Sequence, residues 1–134
     1  MIVDSSAIVA VLRSEPEAQT FSSAIKTAVE AAEPCRVSAV NYVEAAVVID
    51  SSRDPIASRR FDDFFREASI MVEGVTSRQA EIARQAYRDF GKGRHKAGLN
   101  LGDCFAYALA KEMDEPLLFK GNDFKRTDVE AVGI

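Results

Sequence analysis

The sequence predicts an α/β fold with a central, mainly parallel sheet and helices on both of its faces. Three observations carry this. Short apolar runs at residues 1–3, 35–37, 70–72 and 117–119 have strand length and are too brief for helices. Longer stretches with apolar residues at helical spacing separate them, and that alternation places crossover helices between parallel strands. Residues 104–110, finally, are apolar on every side, as in a helix buried against a sheet.

Taken in order, residues 1–3 form a strand that ends in Asp4-Ser5-Ser6, and residues 7–12 continue as an apolar helix. Ser14 and Glu17 have capping-box spacing with Pro16 in the first turn. The helix they open turns Phe21, Ile25, Ala28, Val29 and Ala32 inward, and Pro34 stops it. After the second strand, Ser38 caps a helix whose apolar stripe is Val40, Val43, Val47 and Val48. Glu44 falls on that stripe. Asp54-Pro55 opens the next helix, with Ala57, Phe61, Phe64, Phe65 and Ala68 inward. Thr76 and Gln79 form a second capping box, before a helix lined by Ala80, Ala83, Ala86, Tyr87 and Phe90.

Gly91 to Gly98, GKGRHKAG, reads as a flexible basic loop. Asn100 then caps the last long helix and puts Asp103 in its first turn, where the helix dipole favours negative charge. Pro116 ends the helical pattern. Gly121 and Asn122 turn the chain after the last core strand, and Asp123 comes next. Thr127-Asp128 turns into an edge strand at residues 129–132.

A chain of 134 residues is one domain, residues 1–134. Hydrophobic and charged shares of 47% and 28% are those of a soluble globular protein. No apolar stretch approaches the roughly 18 residues of a transmembrane helix, and no signal peptide is recognisable. Cys35 and Cys104 lack CxxC spacing and read as buried thiols of a cytoplasmic protein. A net charge of −4 argues against a general nucleic-acid coat but leaves room for local basic patches.

Four carboxylates sit at unusual places. Asp4 and Asp123 come just after core strands, Asp103 starts a buried helix, and Glu44 lies on an apolar stripe. Each has a simpler alternative: Asp4 as a helix cap, Asp103 as a partner of the dipole, Asp123 as a turn residue, Glu44 on a half-exposed stripe. If the first and fourth strands are neighbours, however, the three aspartates converge at one sheet edge. Clustered carboxylates repel one another, and a hard divalent cation relieves this. An all-oxygen set suits Mg²⁺ or Mn²⁺ rather than Zn²⁺. Such a site fits metal-assisted phosphodiester hydrolysis.

The stretches MIVDSSA, VNYVEAAVVI and LNLGDCFAYALAKEMDEPLLFKGNDF resemble the PIN domain, and more narrowly the VapC-type toxins of bacterial toxin–antitoxin pairs. The resemblance implies a three-layer α/β/α fold and a Mg²⁺- or Mn²⁺-dependent endoribonuclease. Its acidic set falls on Asp4, Glu44, Asp103 and Asp123, and its small hydroxyl residue on Ser6. Asp4 and Asp103 are expected to be the principal ligands of the metal, with Glu44 and Asp123 ligating directly or through water. Asp128 has at most an outer place. The resemblance also implies a homodimer, for which the apolar surplus in residues 7–12 and 40–49 is weak support. It implies an antitoxin whose tail offers Arg or Lys to the acidic groove.

Lys92, Arg94, His95 and Lys96 lie just ahead of the Asp103 helix and are read as holding RNA phosphates, with an ordinary solvated loop as the alternative. His95 reads as a phosphate contact or idle surface more than as a proton donor. Cys104, Tyr87, Phe90, Phe105 and Tyr107 are read as core. Two other functions compete. A phosphatase of the haloacid-dehalogenase type also begins with a strand ending in Asp, but needs a second Asp where this chain has Ser6. A non-catalytic PIN-like binding module would have no need of all four acids.

Overall fold

The computed structural model describes residues 1–134. Its strands are β1 (Ile2–Val3), β2 (Arg36–Ser38), β3 (Met71–Glu73) and β4 (Leu117–Leu118). They form one sheet in the order β3-β2-β1-β4, and every pairing is parallel. The helices are α1 (Ser5–Leu12), α2 (Ala18–Glu30), α3 (Ala39–Asp50), α4 (Pro55–Glu67), α5 (Ser77–Phe90) and α6 (Leu101–Met113), with a 3-10 turn at Phe124–Arg126.

Side chains alternate across a strand, and this divides the core in two. Val3, Val37 and Leu118 pack with residues of α1 to α4, among them Ile8, Phe21, Ile25, Ile49 and Phe61. Ile2 and Leu117 point the other way and pack with α5 and α6. The predicted layers of helix, sheet and helix result directly. On α6, Cys104 and Ala106 to Ala110 are all buried, which explains a helix with no polar face over that span.

The chain steps outward from β1 to β2 to β3, then returns to place β4 on the other side of β1. That reversal is a switch point, where the carboxyl ends of two neighbouring strands open a crevice. Ile2 registers with Leu117 and Val3 with Leu118. The Asp4 amide donates to the Leu118 carbonyl at 2.9 Å, so the chain leaving β1 and the chain leaving β4 emerge side by side.

Several local expectations fail for physical reasons. Ser14 does not cap α2; it takes a left-handed conformation (φ 51°) that closes α1. Glu17 sits at the N-cap without a side-chain bond, because Glu15 and Glu17 both reach Lys120. α2 ends at Glu30, ahead of Pro34, and Val29 and Ala32 are exposed. On α3 the buried residues are Asn41, Ala45 and Ile49, while Val43 and Val47 stay 56% and 61% exposed. The small Ala45 and Ile49 turn toward α1 and α4, so the valine stripe faces outward with Glu44 among it.

The second capping box is half made: Thr76 Oγ1 accepts from the Gln79 amide at 3.1 Å, but Gln79 makes no return bond. Residues 129–132 give one bridge, Leu117 to Ala131, rather than a strand. The Gly91–Gly98 loop is not loose. Lys92 N donates to Leu99 O and Leu99 N to Phe90 O, both at 2.9 Å, closing it at its base. Tyr87 is exposed rather than core, with the Arg94 guanidinium 5.1 Å above its ring.

Candidate active site

Asp4 directly follows β1 and is the N-cap of α1. Its Oδ2 accepts from the Ser6 amide at 3.0 Å and the Ser6 hydroxyl at 2.5 Å. Ser6 Oγ also accepts from the Lys120 amide at 3.0 Å, so one hydroxyl ties the end of β1 to the segment after β4. The helix-cap alternative is therefore real, but it uses only one carboxylate oxygen. Oδ1 is buried and has no partner, on a residue only 2% exposed. Leaving such an oxygen unpaired is costly. Burial pushes the Asp4 carboxyl above its ordinary range, against the bonds from Ser6 that favour its charged form, and the charge of Glu44 adds to the rise.

Asp103 closes a reciprocal capping box on α6. Its amide donates to Asn100 Oδ1 at 2.8 Å, and its Oδ2 accepts from the Asn100 amide at 3.0 Å. Its pKa is pushed up to about 7, first by burial and then by the charges of Asp4, Asp123 and Glu44, while the Asn100 bond opposes the rise. All three other acids thus act on Asp103. Strands β1 and β4 are neighbours, as the expected convergence requires.

Glu44 projects from α3 toward the first turn of α6. Ser5 Oγ donates to its Oε1 at 3.3 Å and Asn41 Nδ2 at 2.8 Å. Asp123 is exposed and directly precedes the 3-10 turn. None of the four takes part in an ion pair; the salt bridges all use other acids. As they stand, no three acidic, histidine or cysteine side chains are gathered closely enough to enclose an ion. The donors are all carboxylate oxygens, the set a hard divalent cation takes.

The basic loop is joined to this site. Arg126 Nη1 donates to the Lys96 carbonyl at 2.9 Å and links the turn after Asp123 to the loop. Lys92, Arg94 and Lys96 are exposed. His95 is half-buried: its Nδ1 accepts from the Ala97 amide at 3.0 Å and its ring meets Phe90 edge-on, which leaves Nε2 free. Asp128 is occupied elsewhere, accepting from the Tyr107 hydroxyl at 2.6 Å and from Lys111 at 3.1 Å. Those partners, Tyr107 first, hold its carboxyl below the ordinary range against the effect of its partial burial. Cys104 is core, and burial lifts its thiol to about 11. Sequence reasoning missed Arg126, Asn41 and Gly102. Only Asn41 left a trace, standing three residues before Glu44 on the same helix face.

Comparison with known proteins identifies the family. The PIN domain family model matches residues 1–130. The chain is 52% identical over 131 residues to the VapC ribonuclease Mb0625 of Mycobacterium bovis, covering 97% of this chain and 96% of the relative. It is 47% identical over 133 residues to Ribonuclease VapC of Mycolicibacterium smegmatis, covering 98% and 99%. Ribonuclease VapC30 of Mycobacterium tuberculosis matches at 45% over 134 residues, covering 100% and 99%. The crystal structure of Mycobacterium tuberculosis VapC20, described as a sarcin-ricin loop cleaving toxin, superposes with a TM-score of 0.70 over 98% of this chain and 97% of that one. At 16% identity that likeness speaks for the fold. The chain belongs to the PIN-domain family. Family membership sets the haloacid-dehalogenase reading aside.

Proposed function

We propose that the protein is a metal-dependent endoribonuclease and the toxin of a VapBC-like toxin–antitoxin pair. The observation that carries the metal reading is Asp4 Oδ1, a buried carboxylate oxygen without a partner, in a set of four acids none of which is paired with a basic side chain. The ribonuclease names of relatives at 45–52% identity support RNA as the substrate class. The residues fit Mg²⁺, or Mn²⁺ in its place. Asp4 and Asp103 would be the principal ligands, and Glu44 and Asp123 would ligate directly or through water.

When bound, the ion supplies Lewis acidity for water attack on phosphorus and neutralises the charge that develops there. The protein's own groups do the rest. Ser6 holds Asp4 with Oδ1 left free. The α6 capping box fixes Asp103 on a rigid helix. Lys92, Arg94 and Lys96, with His95 beside them, face outward to take phosphates flanking the cut, which positions the RNA without reading its sequence. An antitoxin tail would compete for the acids by forking a guanidinium onto them.

The protein would act in the cytoplasm. None of its helices is long and apolar enough to cross a membrane. The exposed valine face of α3 supports a homodimer. The test is incubation of pure protein with structured RNA and with a phosphatase substrate, with Mg²⁺ and with EDTA. Cleavage of RNA alone, only with Mg²⁺, is expected. Turnover of the phosphatase substrate, or RNA cleavage in EDTA, would overturn the reading.

A further inference from the structure

Asn41 is 1% exposed and lies on α3 three residues before Glu44. Burying an amide is costly, and Asn41 Oδ1 has no partner, so what holds this side chain is its donor side. Asn41 Nδ2 uses both of its N–H donors: it donates to Glu44 Oε1 at 2.8 Å and to the Gly102 carbonyl at 3.0 Å. Both partners are acceptors only, so the amide orientation is dictated by them. One side chain thereby joins the Glu44 carboxylate to the first turn of α6, next to Asp103.

Gly102 completes the arrangement. A Cβ there would overlap both carboxylate oxygens of Glu44 and the carbon between them. The carboxylate lies in the space a side chain would fill. Gly102 has no need of glycine's backbone freedom, since it sits in an ordinary helical turn and its φ is not positive. Its presence at this position is explained by the close approach of Glu44.

We infer that Asn41 and Gly102 are positioning residues that clip the Glu44 carboxylate against the α6 N-terminus and set its distance from Asp103. Neither touches the reacting atoms. Asn41 pulls the carboxylate in, and Gly102 leaves room for it to arrive. The inference rests on the metal-dependent reading above.

Metal binding and a Glu44→Ala background separate the positioning role from stability. Glu44 is only half-buried, so an added methyl at residue 102 displaces a flexible carboxylate toward solvent rather than the backbone. Gly102→Ala should therefore fold, melt somewhat below wild type in EDTA because the Asn41 amide loses its Glu44 partner, and bind Mn²⁺ about ten- to a hundredfold more weakly by calorimetry, the usual range for losing an outer-shell support. RNA cleavage at limiting Mn²⁺ should fall with it. Asn41→Leu, of the same branched shape and without donors, should show the same loss. In a Glu44→Ala background neither change should weaken Mn²⁺ binding further, since interacting sites are non-additive. There Gly102→Ala should raise the melting temperature, because the methyl meets no carboxylate. Wild-type Mn²⁺ affinity in Gly102→Ala or Asn41→Leu overturns the inference, as does an undiminished loss in the Glu44→Ala background. If the wild-type protein itself binds no Mn²⁺, the functional reading fails and this inference with it.

Discussion

Replacing Asp103 with Asn should stabilise the metal-free protein at alkaline pH and abolish its stabilisation by metal. The Asp103 pKa rises from 3.8 to about 7 on folding, chiefly through burial and then through Asp4, Asp123 and Glu44. At about 1.36 kcal/mol per tenfold change in proton affinity, that rise is worth at most about 4 kcal/mol. The carboxylate is only half-buried, and solvent screening brings the figure to about 1–2 kcal/mol. The sign comes from linkage. A carboxyl raised in the fold binds its proton more tightly there than in the unfolded chain. Its contribution to stability therefore falls as pH climbs from about 4 to about 7.

In EDTA at pH 8 the Asn variant should melt about 3–8 °C above wild type, and the gap should close by pH 5. Asn Oδ1 can still accept from the Asn100 amide, so the α6 cap survives. With Mn²⁺ at about 100 times its dissociation constant, wild type should gain about 2.7 kcal/mol and the variant far less. Calorimetry at both pH values, with EDTA and with Mn²⁺, reads all of this. A variant less stable than wild type at pH 8, or a difference that does not change with pH, would refute the electrostatic reasoning.

Three further outcomes are expected. Ser6→Ala removes the 2.5 Å bond to Asp4 and the tie to Lys120, and should lower cleavage about ten- to a hundredfold; wild-type activity would remove Ser6 from the site. The triple change of Lys92, Arg94 and Lys96 to Ala should weaken RNA binding and reduce its salt slope by about 2, at about 0.7 per lost phosphate contact on single strands. Antitoxin affinity should change less, and an unchanged salt slope would return the loop to ordinary surface. Light scattering at micromolar concentration should give a dimer, and Val43→Asp on the exposed α3 face should give a monomer; a wild-type monomer would count against the dimer.

The layered fold was legible because strand length and helical spacing act locally. The runs at Ile2–Val3 and Leu117–Leu118 are too short and too apolar to be anything but buried strands. Their parallel pairing is a consequence of the helices between them. Asp103 was legible because Asn100, three residues earlier, announced a helix start. What the sequence concealed depends on tertiary contact. The valines of α3 have helical spacing, yet spacing cannot say which side meets the sheet, and the smaller Ala45 side does. Ser14 and Glu17 match a capping box, but α1 uses Ser14 for its own ending. The loop around His95 is rich in glycine and still closes firmly, because Phe90 and Leu99 pair at its base. Arg126 reaches Lys96 across 30 residues, and no local pattern reports that.

The central claim is that the acids around Asp4 hold a divalent ion for RNA cleavage. The most direct measurement is cleavage of one structured RNA by wild type and by Asp4→Asn, each titrated with Mn²⁺ from an EDTA-treated stock, with Mn²⁺ binding measured in parallel. The buried Oδ1 becomes a neutral amide group, while the acceptor for Ser6 can persist. Wild type should cleave only as Mn²⁺ binds. Asp4→Asn should stay folded, bind Mn²⁺ weakly and leave the RNA intact at every concentration. Metal-independent cleavage by wild type, or undiminished cleavage by Asp4→Asn, would contradict the account.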